Sequence, residues 1–267
     1  MKLTVLTDNA TRIDAYYLAE PGVCYYLEED GRRILFDTGY SDVFVRNAAA
    51  MDVDLAAVDT VVISHGHDDH TGGLAYLPPS HLRQRLYAHP DVFRPKRWEG
   101  EPIGAPLTLE QADERFELHL TKEPVAITPR LTFLGQVPRR TPFETPEPIG
   151  DMLKDGIWRP DLLEDDSALV YRGEEGLTVI TGCSHAGICN VVEYAREVCG
   201  DGRIAGIIGG FHLMELSPQV DFTVDYLKAL HPRHLRPCHC TCFAARAAIH
   251  RAVPVEEVCV GDVLTLQ

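Results

Sequence analysis

The stretch Ser64-His65-Gly66-His67-Asp68-Asp69-His70-Thr71-Gly72-Gly73 packs three imidazoles and two carboxylates into the six positions from His65 to His70. Such groups are costly to bury unless they are protonated, paired or bound to metal, and a divalent cation satisfies all of them together. In an extended stretch His65 and His67 share one face, while a turn entering a helix carries Asp69 and His70 to a second point. That division suits two metal ions held close together. Gly66, Gly72 and Gly73 fit a tight turn in which backbone crowds backbone. A solvated polar loop is the competing reading, and it leaves this density of ligating side chains without a purpose.

Three later segments repeat the arrangement of a short apolar run followed by a histidine: Thr181-Gly182-Cys183-Ser184-His185-Ala186-Gly187, Gly209-Gly210-Phe211-His212-Leu213, and Pro237-Cys238-His239-Cys240-Thr241. A single histidine of this kind is usually structural. Beside the first cluster, it becomes a candidate ligand.

The elements that must position these loops alternate strand and helix. Leu3 to Leu6, Val23 to Leu27 and Ile34 to Phe36 read as strands, the last two joined by an Asp30-Gly31 turn. A helix is predicted from about Asp42 to Met51, and Thr60 to Ile63 is a buried strand that runs directly into the histidine cluster. From Pro90 to about Pro148, ten prolines break the periodicity. Only Arg130 to Val137 reads as a strand there, and the stretch is expected to be an insertion or lid. Strands then follow at Ala168 to Tyr171, Leu177 to Thr181, Ile204 to Ile208 and His234 to Pro237, with helices near Gly187 to Val198, Phe222 to Leu230 and Phe243 to His250. The pattern predicts an α/β layered sandwich.

Forty acidic against twenty-five basic side chains give a formal charge of −15, which repels nucleic acid and anionic membranes. Neither is expected as a partner; a small-molecule substrate is. No apolar run approaches the roughly 20 residues that cross a bilayer, and Met1 to Thr7 lacks a signal-peptide pattern, so a cytoplasmic protein is expected. The eight cysteines read as reduced thiols. Cys238, Cys240 and Cys242 differ from the C-x-x-C spacing of structural zinc; Cys240 is expected to pack at a strand end and Cys242 to open a helix.

His-x-His-x-Asp-His after a buried strand resembles the signature of the metallo-β-lactamase fold superfamily. Leu35-Phe36-Asp37-Thr38-Gly39 resembles that superfamily's earlier Asp-Thr-Gly turn, which implies that Asp37 braces the metal loop. The TGCSHAG, GGFH and PCHCT segments together are similar to the subgroup that includes the archaeal 7,8-dihydropterin-6-methyl-4-(β-D-ribofuranosyl)-aminobenzene-5′-phosphate synthase. The opening Thr4 to Asn9 and the run Asp165 to Leu169 also fit, and the likeness extends from Met1 to about Cys242. It implies a single domain over residues 1–267, built as a four-layer αββα sandwich, in which His185 and His239 join His65, His67, Asp69 and His70 as metal ligands. Asp69 and His212 are the expected catalytic residues. One departure concerns the bridging aspartate of a Gly-Asp turn, which has no counterpart here; Cys183, His185 or His212 is expected in that space. Two divalent ions are implied, zinc first, with manganese and iron as alternatives.

Arg139 and Arg140 are candidates to reach the site and hold a phosphate, and Asp165 or Asp166 to contact substrate. His81, His89, His119, His231, His234 and His250 are expected to be surface or core residues. The leading functional expectation is a hydrolase that uses a metal-activated water on a small phosphorylated or ester substrate. A dihydropterin-type synthase that condenses a pterin diphosphate with an arylamine is the first alternative, and a non-catalytic metal or ligand sensor the second.

Overall fold

The computed structural model describes residues 1–80, 83–145 and 147–267, so His81 lies outside the described residues. Strands β1 (Lys2–Thr7), β2 (Cys24–Glu29) and β3 (Arg32–Phe36) form an antiparallel meander. Asp30 and Gly31 both take positive φ between β2 and β3, as the tight hairpin requires. Helix α1 (Val43–Ala50), β4 (Thr60–Val62), the single turn α2 (Asp68–Thr71) and β5 (Arg85–Ala88) follow. The proline-rich stretch and its continuation contain β6 (Lys96–Trp98), β7 (Glu101–Pro102), α3 (Leu109–Arg115), β8 (Glu117–Leu120), β9 (Val125–Ala126), β10 (Leu131–Phe133), β11 (Asp151–Lys154) and β12 (Ile157–Pro160). The chain ends with β13 (Ala168–Arg172), β14 (Leu177–Thr181), α4 (Ile188–Cys199), β15 (Ile204–Gly210), α5 (Pro218–Leu230), β16 (His234–Cys238), α6 (Phe243–Ala252) and β17 (Val263–Thr265).

Seven strands make one sheet in the order β17-β1-β2-β3-β4-β5-β8, and six make the second in the order β16-β15-β14-β13-β10-β9. Alternation along each strand sorts its side chains into layers. Tyr25 and Leu27 of β2 join Phe133, Leu169 and Ile180 in the core between the sheets, while Cys24 and Tyr26 face outward onto Phe44 and Ala48 of α1. On the far side, Val170, Val179 and Ile207 pack against Val192, Val220 and Ile249 of α4, α5 and α6. The result is a four-layer αββα sandwich. Among the described residues, no helix is long and apolar enough to cross a membrane.

The expectation for residues 90–148 needs correction. Strand β8 completes the first sheet and β9 and β10 extend the second, so much of this stretch belongs to the sandwich. The strand expected over Arg130 to Val137 spans only Leu131–Phe133. Helix α3 carries a Thr108/Gln111 capping box, a start signal that the surrounding prolines mask. What stands apart is a small sheet, β12-β11-β6-β7, with Pro102 and Pro160 on its edge strands, where a missing N–H costs no ladder bond. Helix α5 begins four residues before the expected Phe222, with Pro218 at its first turn, a position that tolerates proline.

Candidate metal centre

Strands β3 and β4 are parallel, as are β14, β15 and β16, so the loops after each group emerge together. Those loops carry Asp37, the 65–70 cluster, Cys183 to His185, His212, and His239 with Cys240. Close approach is built in: a Cβ on Gly66 would collide with the Val92 carbonyl, and one on Gly182 with the Ser64 hydroxyl. Asp37, Ser184, His212 and His239 all hold left-handed backbone, an uncommon conformation for residues with a side chain and one that clusters at functional sites.

His65, His67 and His185 each offer a ligand atom to one group, and Asp69, His70, Cys183 and His239 do the same for a second, with the atoms of each group within 4.8 Å of one another. The hydrogen bonds fix which nitrogens face inward. Ser64 donates its hydroxyl to Asp37 Oδ2 at 2.7 Å, so its oxygen is left to accept from His65 Nδ1 at 2.9 Å. His70 Nδ1 lies 2.7 Å from the same Asp37 oxygen, and His239 Nδ1 lies 2.8 Å from Asn9 Oδ1. Three imidazoles thus donate outward through Nδ1 and turn Nε2 lone pairs inward. His65 Nε2 lies 3.2 Å from His185 Nε2, His70 Nε2 lies 3.1 Å from Cys183 Sγ, and the Nε2 atoms of His67 and His239 are buried without a hydrogen-bond partner.

These residues fit a pair of divalent cations. Orphaned buried nitrogens are costly by themselves, and several imidazole nitrogens, a carboxylate and a thiol converging within a few ångströms are satisfied together by positive charge between them. The electrostatics agree. Burial first, then the neighbouring imidazoles, hold His65 and His185 well below the ordinary histidine range, and burial with nearby Lys96 brings His67 down to about 4, so this trio is neutral and ready to ligate. The second group carries negative charge. Burial would lower His70, but Asp69 and Asp37 outweigh it and raise it; burial would raise Asp69, but His70 and His239 hold it well below the carboxylate range. A cation supplies the positive charge that a proton on His70 otherwise provides.

Asp37 also accepts from the Ser64 backbone N–H, tying two loops together. Cys183 occupies the second group, and His212 stacks obliquely on His185 with ring centroids 4.3 Å apart. Asp166 is buried beneath the His185 loop, where it accepts from the Ala186 N–H and where burial pushes its carboxyl up to about 7. The structure does not bring Arg139 and Arg140 into the pocket. Arg139 donates to the carbonyls of Leu162 and Leu163, and Arg140 pairs with Glu197 on the surface while its backbone N–H donates to Asn190 Oδ1 of α4. Cys240 does more than pack at a strand end: its sulfur lies within reach of Cys183 and His212, whereas Cys242 caps α6 as expected.

Sequence reasoning missed Asn9 as a histidine partner and missed a buried ion cluster. Lys96 Nζ donates to Asp161 at 2.5 Å and to Asp165 at 3.1 Å, and Asp165 in turn accepts the Gly66 N–H at 2.9 Å. Strand β6 is thereby anchored under the metal loop, and Asp68 N–H reaches the Ile103 carbonyl from the same loop. The lysine and its carboxylates are 65 and 69 residues apart in sequence, so no local pattern announces them.

A four-layer sandwich with a two-part histidine and carboxylate centre at the ends of its strands defines the class of metal-dependent enzymes built on this scaffold. Residues 18–199 match the metallo-beta-lactamase superfamily, and the chain belongs to it. It is 34% identical to an uncharacterized protein of Methanocaldococcus jannaschii over 248 residues, 91% of each chain. To the 7,8-dihydropterin-6-methyl-4-(beta-D-ribofuranosyl)-aminobenzene-5′-phosphate synthase of the same organism it is 28% identical over 262 residues, 92% of this chain and 89% of that one. The crystal structure of Tm1679, described as a metal-dependent hydrolase of the beta-lactamase superfamily, superimposes with a TM-score of 0.86 at 30% identity, covering 100% of this chain and 99% of that one.

Proposed function

We propose that this protein is a two-metal hydrolase for a small ester or phosphoester whose negative charge is confined to the reacting group. The reading is carried by the inward-turned Nε2 atoms of His65, His70 and His239, each fixed by an outer hydrogen bond. Bound there, two divalent ions lower the pKa of water and polarise a carbonyl or phosphoryl group. His65, His67 and His185 hold the first ion; Asp69, His70 and His239, with Cys183, hold the second. Asp69 Oδ2 lies 3.5 Å from His70 Nε2 and 3.3 Å from His239 Nε2, with its side chain partly open to the pocket, where it can accept a hydrogen bond from an attacking water and orient it.

The pocket above these residues has a volume of about 820 Å³, ample for a small molecule. Trp98, Ile103, Ile149 and Met214 give it apolar walls, and Asp68, Glu147 and Glu215 contribute carboxylates. Among the described residues no lysine or arginine lines it. A phosphate remote from the metals therefore meets no basic fork and faces like charge. This favours hydrolysis over condensation of a pterin diphosphate with an arylamine. The second reading, a dihydropterin-type synthase, is supported by the likeness to the M. jannaschii synthase over nearly the whole chain. Metal-replete protein incubated with aryl esters and phosphodiesters separates the two. Turnover in water alone supports hydrolysis; inactivity there, with product formed only from a pterin diphosphate and an arylamine, supports the synthase.

A further inference from the structure

We propose that Cys183, Cys240 and His212 form a third cation site, selective for a thiophilic ion such as Zn(II), that shares the Cys183 sulfur with the second position of the metal pair. It rests on the two-metal reading only for that sharing. One ligand atom from each of the three residues lies within 4.8 Å of the others, the same compactness that defines the two groups of the pair. Zinc–sulfur bonds of about 2.3 Å and zinc–nitrogen bonds of about 2.0–2.1 Å place ligand atoms roughly 3.5–4 Å apart around a tetrahedral ion, so the cluster needs little adjustment.

The three residues come from the turns after β14, β15 and β16, which are consecutive parallel strands, and the Gly210–Cys238 pairing sets the last two turns in register. Gly210 keeps room for the sulfur, since a Cβ there would collide with Cys240 Sγ. The His212 backbone N–H points at Cys240 Sγ, 3.3 Å away, and His212 Nδ1 is buried without a hydrogen-bond partner. Cys189 and Cys199 differ: they sit in the helical layer among aliphatic side chains, as structural cysteines do. Cys183 and Cys240 instead line the pocket beside imidazoles. Paired thiolates with an imidazole select zinc or copper(I) over magnesium or manganese, which favour oxygen ligands.

The test uses the full chain, stripped of metal and titrated with Zn(II), Mn(II) or Co(II), with bound metal counted by elemental analysis. Three equivalents of Zn(II) and two of Mn(II) are expected for the unaltered protein, and two of Zn(II) for Cys240→Ser and for His212→Ala. Co(II) should show a sulfur-to-metal charge-transfer band that falls to about one third in Cys240→Ser, because both sulfur bonds to the third ion go with it and only the bond from Cys183 to the second ion remains. Two Zn(II) equivalents in the unaltered protein, with stoichiometry and band unchanged in Cys240→Ser, overturn the proposal. His212→Ala gives the same reading through a pocket-wall residue if Cys240→Ser does not fold. His65→Ala separates the two hypotheses: it should remove one equivalent and leave the Cys240-dependent band. Loss of no metal in that variant counts against the histidine pair while the third site stands.

Discussion

Lys96, Asp161 and Asp165 are as deeply buried as His65, His67 and His70, and Gly66 joins the two groups, since its N–H is held by Asp165 while its neighbours are histidines. The first group is chemically complete: one ammonium meets two carboxylates, and a backbone donor fills a remaining acceptor. The second has converging imidazole nitrogens, two of them orphaned, and a carboxylate between imidazoles. Burial alone therefore does not mark a functional site. A buried polar cluster that closes on itself is architecture, and one that closes only around an added charge is a binding site.

Removing a residue from each cluster should give opposite signatures. His65→Ala deletes an inward nitrogen and a buried ring, so metal content falls and activity drops by more than the roughly 10–100-fold typical of losing only an outer partner of a ligand. Adding metal should raise the thermal midpoint of the unaltered protein and have a smaller effect on this variant. Equal metal content in the two would break the contrast at its most important point.

Lys96→Met attacks the complete cluster, leaving two buried carboxylates without their cation. A loss of about 3–5 kcal/mol in urea unfolding is expected, with metal stoichiometry retained where the protein is folded. Its pH dependence is specific. Burial raises Asp165, but Lys96 and His67 outweigh it, so its folded pKa lies below the ordinary 3.8; it contributes stability above that value that is lost as pH falls through the folded one. Burial wins at Asp161, whose pKa is raised, so its contribution is favourable below 3.8 and fades as pH rises through the folded value. Without the lysine both carboxyls follow Asp161. Acidifying from about pH 7 to 5 should then narrow the gap in urea midpoint between the variant and the unaltered protein; a constant gap would mean that the lysine's charge is not what holds β6.

The two clusters also differ in how visible they are in the chain. The histidine centre is legible because its candidate ligands come in short loops after apolar strands, so residue type and position coincide, and the layered fold follows from the same alternation. The lysine cluster is hidden because Lys96, Asp161 and Asp165 are ordinary charged residues until folding brings β6 against the 161–166 turn. Asn9 is hidden likewise: only the approach of the β1 and β16 loops makes it the partner of His239. The prolines of residues 90–148 misled because their effect depends on whether a strand is central or at an edge, which is a property of the sheet.

Asn9 offers a finer cut within the histidine centre. Asn9→Ala removes the acceptor that orients His239 and leaves the Asp37 and Ser64 bonds on the other loops intact. Metal affinity at the second position should weaken by about 10–100-fold, with the first position unaffected. Stepwise titration with a chromophoric competitor reads the two positions separately, and an equal loss at both would show that the centre responds as one unit.

The smallest effect is expected at Arg140, where residue type and placement disagree. Its guanidinium has the fork that suits phosphate, yet the structure turns it outward onto Glu197, on the α4 side of the molecule and away from the pocket lining. An exposed pair of this kind is screened by solvent and contributes little, and a cation outside the pocket gives no contact to a substrate inside it. Arg140→Ala should leave kcat/KM for phosphodiester and carboxylic ester alike within about twofold of the unaltered protein. A rise in KM for the phosphodiester alone would mean that the Arg140 side chain leaves Glu197 for the pocket when an anion binds, and that basic charge is part of the working site after all.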